Sequence, residues 1–151
     1  MTIDRLGEEQ ISIEIIKELW SKTYNEDKKP DWSHIFPYYH DDIIFQDSIQ
    51  RIEGIIPFKA MCNRLAKRCK SLKMEIFNII KVDNIIMMDW KMTMSFRFFP
   101  KKPIFGASRL TFNSENKIVE QRDYYDLWGD IYDGIPIIRR LYRWFMRVFF
   151  G

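Results

Sequence analysis

The chain has 151 residues, 46% apolar and 16% aromatic, enough for one domain spanning 1–151 with a sizeable core. Its 24 Lys and Arg against 21 Asp and Glu give a formal charge of +3, supplied by Arg139, Arg140, Arg143 and Arg147 in a last stretch without acids, so the near-neutral body is no nucleic-acid-binding surface. Six Gly and six Pro exclude a low-complexity chain, and no apolar run reaches the roughly 20 residues that cross a bilayer.

Met1–Gln10 is polar and acidic, without the apolar core of a signal peptide, so the expected location is the cytoplasm. Ile11, Ile15, Leu19 and Trp20 recur at helical spacing and predict a first helix from about Gly7 to Tyr24. Asn25–Lys29 reads as a charged loop. Asp31 suits the cap of a short helix through His34, Ile35 and Tyr38, ended by Asp41 and Asp42. Ile43–Asp47 predicts a short strand, broken by a polar stretch up to Gly54. Pro57 suits the first turn of a third helix, with Phe58, Met61, Leu65 and Cys69 as its apolar stripe.

Beyond Lys70 the apolar period changes. Lys73–Ile80, Ile85–Phe99, Ile104–Asn113 and Lys117–Asp126 read as strands. Asp83-Asn84, Pro100–Pro103 and Ser114–Asn116 supply the turns. Helices followed by a strand meander predict an α+β fold, an antiparallel sheet packed on helices. Pro136 opens a last amphipathic helix over 136–150. Cys62 and Cys69 lie two helical turns apart, about 10 Å, too far for a disulfide, and read as buried or half-buried free thiols. His34 and His40 join no cluster at metal-ligand spacing, so neither metal nor cofactor is expected.

Three motifs stand in order: Y-Y-H-D-D-I-I-F-Q-D (Tyr38–Asp47), R-I-E-G (Arg51–Gly54) and G-A-S-R-L-T-F-N-S-E-N-K-I-V-E-Q-R-D-Y-Y-D (Gly106–Asp126). Together they resemble the nuclear transport factor 2-like superfamily, and most closely its bacterial SnoaL-like branch. The resemblance implies a curved sheet wrapped around helices into a cone with a deep pocket, and dimers formed through the outer sheet face. In ketosteroid isomerases the segment similar to His40–Asp47 ends in the general base, which falls on Asp47. Their two oxyanion donors fall near Trp20 and on Ser108, neither of the required type. In limonene-epoxide hydrolases a motif resembling Gln121–Asp126 carries a catalytic Asp, which falls on Asp123. The Arg and second Asp of that scheme fall near Trp90 and Met92. Polyketide cyclases of the branch also use an acid/base Asp on the last strand. One carboxylate of each scheme is present and neither scheme is complete.

Alternation puts Gln121, Asp123 and Tyr125 on one face of the last strand, the pocket face by the resemblance. Trp90, Met92 and Met94 share a face of the long strand and supply an apolar wall, to which Leu110 and Phe112 add. Trp20, Phe45, Ser108 and Gln121 complete the predicted lining. An Asp in such a site is desolvated and its pKa rises, which suits proton transfer near neutral pH. The functional reading is acid/base chemistry of isomerase, cyclase or epoxide-hydrolase type on a small apolar ring or polyketide-like compound. Asp123 and Asp47 would act as acid and base, with Tyr125 or Tyr39 as hydroxyl donor. The structural alternative has Asp47 capping the turn before Ser48 and Asp123 pairing with Arg122, Arg109 or a tyrosine. A pocket protein without catalysis, or an interaction module, fits the same pattern. Asp89 reads as outward-facing, and Asp126 and Asp130 as turn or cap residues.

The last helix divides into an apolar face (Ile137, Ile138, Leu141, Tyr142, Phe145, Val148, Phe149) and an arginine face. Packing against the cone or a dimer partner is one reading, because an apolar stripe needs a partner. Seating on an anionic membrane surface is the other.

Overall fold

The computed structural model describes residues 11–97 and 102–151. Helix α1 (Ile13–Ser21) starts where the Ser12 hydroxyl accepts from the Ile15 amide at 3.2 Å, and it buries Ile16 and Trp20. The predicted helix start at Gly7 lies outside the described residues. Beyond α1 the chain is stitched to β3 (Ser71–Val82): the Thr23 hydroxyl donates to the Leu72 carbonyl at 2.8 Å, and the Leu72 amide donates to the Tyr24 hydroxyl at 2.9 Å. A 3-10 helix, Ser33–Tyr38, follows the Asn25–Lys29 loop. Asp31 sits one residue ahead of its cap and accepts from the Ser33 amide and hydroxyl.

Strand β1 (Tyr39–Gln46) begins four residues earlier than predicted, so Asp41 and Asp42 are exposed strand residues and not a helix end. Strand β2 (Arg51–Glu53) pairs antiparallel with β1 inside the stretch read as a break. Gly54, at φ +92°, turns the chain into helix α2 (Ile55–Arg68), a conformation other residues rarely adopt. Phe58 on α2 is 2% exposed and meets the rings of Phe36, Tyr39 and Phe45 at centroid distances of 6.3, 4.7 and 5.5 Å. Such aromatic contacts add about 0.5–1.5 kcal/mol per pair beyond area burial. Cys62 and Cys69 are buried and free.

Strands β3, β4 (Ile85–Ser95), β5 (Lys102–Phe112) and β6 (Ile118–Tyr125) form the predicted meander. Phe98 and Phe99, predicted to end the long strand, lie outside the described residues, as do Pro100 and Lys101, whereas Lys102 and Pro103, read as turn, are strand residues paired with Met94 and Thr93. Asp83 and Asn116 take left-handed backbone angles at the two hairpin turns, which short polar side chains tolerate best. Sheet order is β2-β1-β6-β5-β4-β3. Four of its five junctions are antiparallel; β1 runs parallel to β6, so the sheet is mixed and open at both edges. One-residue register shifts at Ile76/Asn78 and Thr111/Phe112 are bulges, which bend and twist a sheet around what it covers, and the β1–β6 pairing is interrupted between Tyr39 and Ile44. Helix α1 packs on β3, and α2 on β1 and β2.

After β6 the Asp126 carboxylate accepts from the Trp128 and Gly129 amides and opens a π-helical turn, Leu127–Ile131. A short 3-10 turn, Tyr132–Gly134, leads into α3 (Pro136–Phe150).

Candidate functional site

Asp123 is built into the middle of the sheet. Its neighbour across the β5–β6 ladder is Ser108, whose hydroxyl donates to Asp123 Oδ1 at 2.6 Å. The Gln121 amide nitrogen reaches both carboxylate oxygens, at 3.0 and 3.2 Å. Each of these donors is itself held. Trp90 Nε1 donates to the Ser108 oxygen at 2.9 Å, and the Tyr39 hydroxyl donates to Gln121 Oε1. The direction of the Gln121 amide follows from its partners, since only the nitrogen can donate to a carboxylate. The Trp90 indole lies over Gly106, its register partner on β5. A Cβ there would stand 2.5 Å from Trp90 Cη2 and 2.7 Å from the Tyr124 carbonyl, so only glycine leaves room.

Burial pushes the Asp123 carboxyl up to about 6, with the charge of Asp47 adding to the rise. The Ser108 and Gln121 hydrogen bonds favour the ionised form and limit it. Asp123 nevertheless keeps a share of exposed surface, and Oδ2, which Gln121 alone reaches among the described residues, is its freer oxygen. Burial, with Asp123 nearby, raises the Cys62 thiol to about 12, so Cys62 is not a thiolate nucleophile. Tyr125 is raised by burial and by Asp47 and Asp123, and Tyr39 by burial, Cys62 and Asp123; both stay protonated hydroxyl donors at neutral pH.

Asp47 has a different setting. It follows the last paired residue of β1, Gln46, which stands opposite Arg122, so it comes level with Asp123. Its Oδ1 accepts the Ile49 and Gln50 amides at 2.8 and 2.9 Å, a turn-forming arrangement suited to Asp. Oδ2 accepts the Tyr125 hydroxyl at 3.2 Å. Tyr125 is fixed from behind, where the Ser48 hydroxyl donates to its carbonyl at 3.2 Å.

The structure thus brings Asp123, Ser108, Gln121, Trp90 and Tyr39 into one hydrogen-bonded set, with Asp47 and Tyr125 beside it. Asp123 pairs with Ser108 and Gln121, not with the arginines or tyrosine the sequence suggested; Arg109 bridges to Glu120 at 3.3 Å instead. Tyr39 is 5% exposed and spends its hydroxyl on Gln121, which makes it a positioning residue. Trp20, Phe45, Trp90, Met94, Ser108, Leu110, Phe112 and Gln121 are each at most 9% exposed, and only Met92 is half-buried. The expected apolar wall is therefore packed interior: an inward apolar strand face and a cavity lining share one sequence pattern. An open groove of about 580 Å³ runs beside Thr23, Tyr24, Leu72, Lys73, Glu75 and Lys91, and touches none of the predicted site residues. A dimple of about 30 Å³ near Asn84 and Asn113 touches Phe112 alone among them. Sequence reasoning missed Gly106, whose signal was a glycine inside a strand. Among the described residues no three His, Cys, Asp or Glu side chains converge to hold a metal ion.

The fold is the nuclear transport factor 2-like fold, an open mixed sheet packed over helices. Solved structures share that fold. An LEH-like epoxide hydrolase of M. tuberculosis is 15% identical at a TM-score of 0.64, covering 83% of this chain and 89% of that one. A Catenulispora acidiphila protein with a ketosteroid isomerase-like fold, bound to trimethylamine, is 14% identical at 0.62, covering 78% and 87%. A Shewanella denitrificans protein described as a SnoaL-like polyketide cyclase is 17% identical at 0.61, covering 71% and 86%. These identities speak for the fold alone. The chain itself belongs to the family described as "Uncharacterized conserved protein (DUF2358)", whose model matches residues 12–121. No curated protein matches it.

Proposed function

We propose that the protein performs acid/base chemistry on a small apolar compound, with Asp123 as the group that gains and loses the proton. What carries this is a half-buried strand carboxyl with one oxygen anchored by Ser108 and the other left freer, which burial pushes up to about 6. Carboxyls tuned toward neutral pH are effective proton carriers. Tyr125, kept protonated, donates its hydroxyl to Asp47 and would serve a substrate only by releasing that bond. Ser108, Gln121, Trp90 and Tyr39 position Asp123. The likeness to epoxide hydrolase, isomerase-like and cyclase structures supports this class of chemistry without choosing among its members.

The test is turnover of a panel of apolar epoxides, unsaturated ketones and polyketide-like aromatic ketones. Activity should vanish in Asp123→Asn and persist, reduced, in Asp47→Asn. Full activity in Asp123→Asn ends the proposal. A second reading, a non-catalytic module of the same fold, is favoured by the filled interior. It predicts no turnover of the panel and no thermal stabilisation by any member.

A further inference from the structure

Helix α3 is the one long helix of the described chain with no buried residue. It is fastened to the body along one flank. The Tyr142 ring stacks on Trp128 at 4.8 Å, and Arg143 pairs with Asp133 at 2.8 Å. The apolar face beside that flank stays open: Ile137 is 82% exposed, Leu141 65%, Val148 58% and Phe149 64%. Leu141, Trp144, Phe145 and Val148 follow helical spacing, so they form one continuous stripe. Arg139, Arg140, Arg143 and Arg147 gather on the opposite side, and no acid lies within 136–151.

We infer that α3 seats this protein on an anionic lipid bilayer, lying in the plane of the headgroups. Charge is the first argument. The stretch carries four arginines unopposed on the same helix, while the rest of the chain is close to neutral, so attraction to negative headgroups is local to α3. Aromatic content is the second, because Tyr142, Trp144, Phe145, Phe149 and Phe150 crowd a helix whose stripe is open, as interfacial helices do. Length is the third. Fifteen residues make a helix about 22 Å long, short of the roughly 30 Å hydrocarbon core, and no described helix is long and apolar enough to cross a membrane. The helix therefore lies on the surface, its stripe sunk about 5–10 Å and Arg140 and Arg147 at phosphate level, while Arg143 stays on Asp133. This inference does not depend on the role of Asp123.

The full-length protein is sedimented with vesicles of phosphatidylcholine alone and of phosphatidylcholine with an equal part of phosphatidylglycerol. Three forms are compared: wild type, R140Q/R147Q and L141E/F145E, with circular dichroism as a fold check. Wild type should bind the anionic vesicles and only weakly the neutral ones, and should be released as salt is raised. R140Q/R147Q should bind anionic vesicles about 30-fold more weakly, two arginines each contributing about 1 kcal/mol at such a surface. L141E/F145E should lose binding to both. Equal partition of wild type and L141E/F145E, or no preference for anionic vesicles, overturns the inference. So does a wild type that ignores vesicles and forms a dimer which L141E/F145E dissociates, since a second copy would then cover the stripe.

Discussion

Asp123, on β6, and Asp47, just past the end of the parallel neighbour β1, come level, yet their surroundings divide their roles. Asp123 lies inside a ladder, where side chains alone satisfy it and burial lifts its pKa toward neutrality. Asp47 lies just past a strand end, where two backbone amides and one phenol hold it. The first is a group whose charge state the fold leaves adjustable. The second is a turn former that also positions a neighbour. Residue type is the same in both; what differs is whether backbone or side chains supply the donors.

The sharpest way to break this contrast is to remove the support of Asp123. Trp90→Ala should destabilise the protein by about 3–5 kcal/mol, read by denaturant unfolding, because it empties packed interior and strips a donor from Ser108. Ser108→Ala comes next, at about 1–3 kcal/mol, since the Trp90 N–H is left without an acceptor. It should also raise the Asp123 pKa further, because a hydrogen bond to the ionised form is lost.

Asp123→Asn tests the charge alone. A raised folded-state pKa means that the carboxyl contributes most stability below its ordinary value near 3.8 and loses that contribution as pH rises through about 6. The stability of Asp123→Asn should therefore gain on the wild type between about pH 4 and pH 6, by about 3 kcal/mol, then run level above that. Urea unfolding of both proteins across that range measures it. Asp47→Ala should cost least, about 1 kcal/mol for the lost turn hydrogen bonds, whereas Asp47→Asn should cost almost nothing.

Much of the fold was legible because the last four strands announce themselves by period and by turns at Asp83 and Asn116. The pairing of β1 with β6 was hidden, since Asp41 and Asp42 interrupt the alternation and a register shift falls on that segment. Strand β2, three residues between polar neighbours, gives too short a pattern to read. At the site, alternation placed Asp123 and Gln121 on the inner face, but the Ser108 partnership depends on cross-strand register, which a single strand does not encode. Whether Trp90, Leu110 and Phe112 line a space or fill it is decided by the helices opposite, and here they are packed interior.

The most direct test of the Asp123 account is its own titration, followed through the side-chain carboxyl carbon by NMR with Asp123→Asn as the assignment control. A midpoint near 6 that climbs in Ser108→Ala is the expected result. A midpoint near 4, unmoved by Ser108→Ala, would show an ordinary carboxylate and contradict the proton-carrying role.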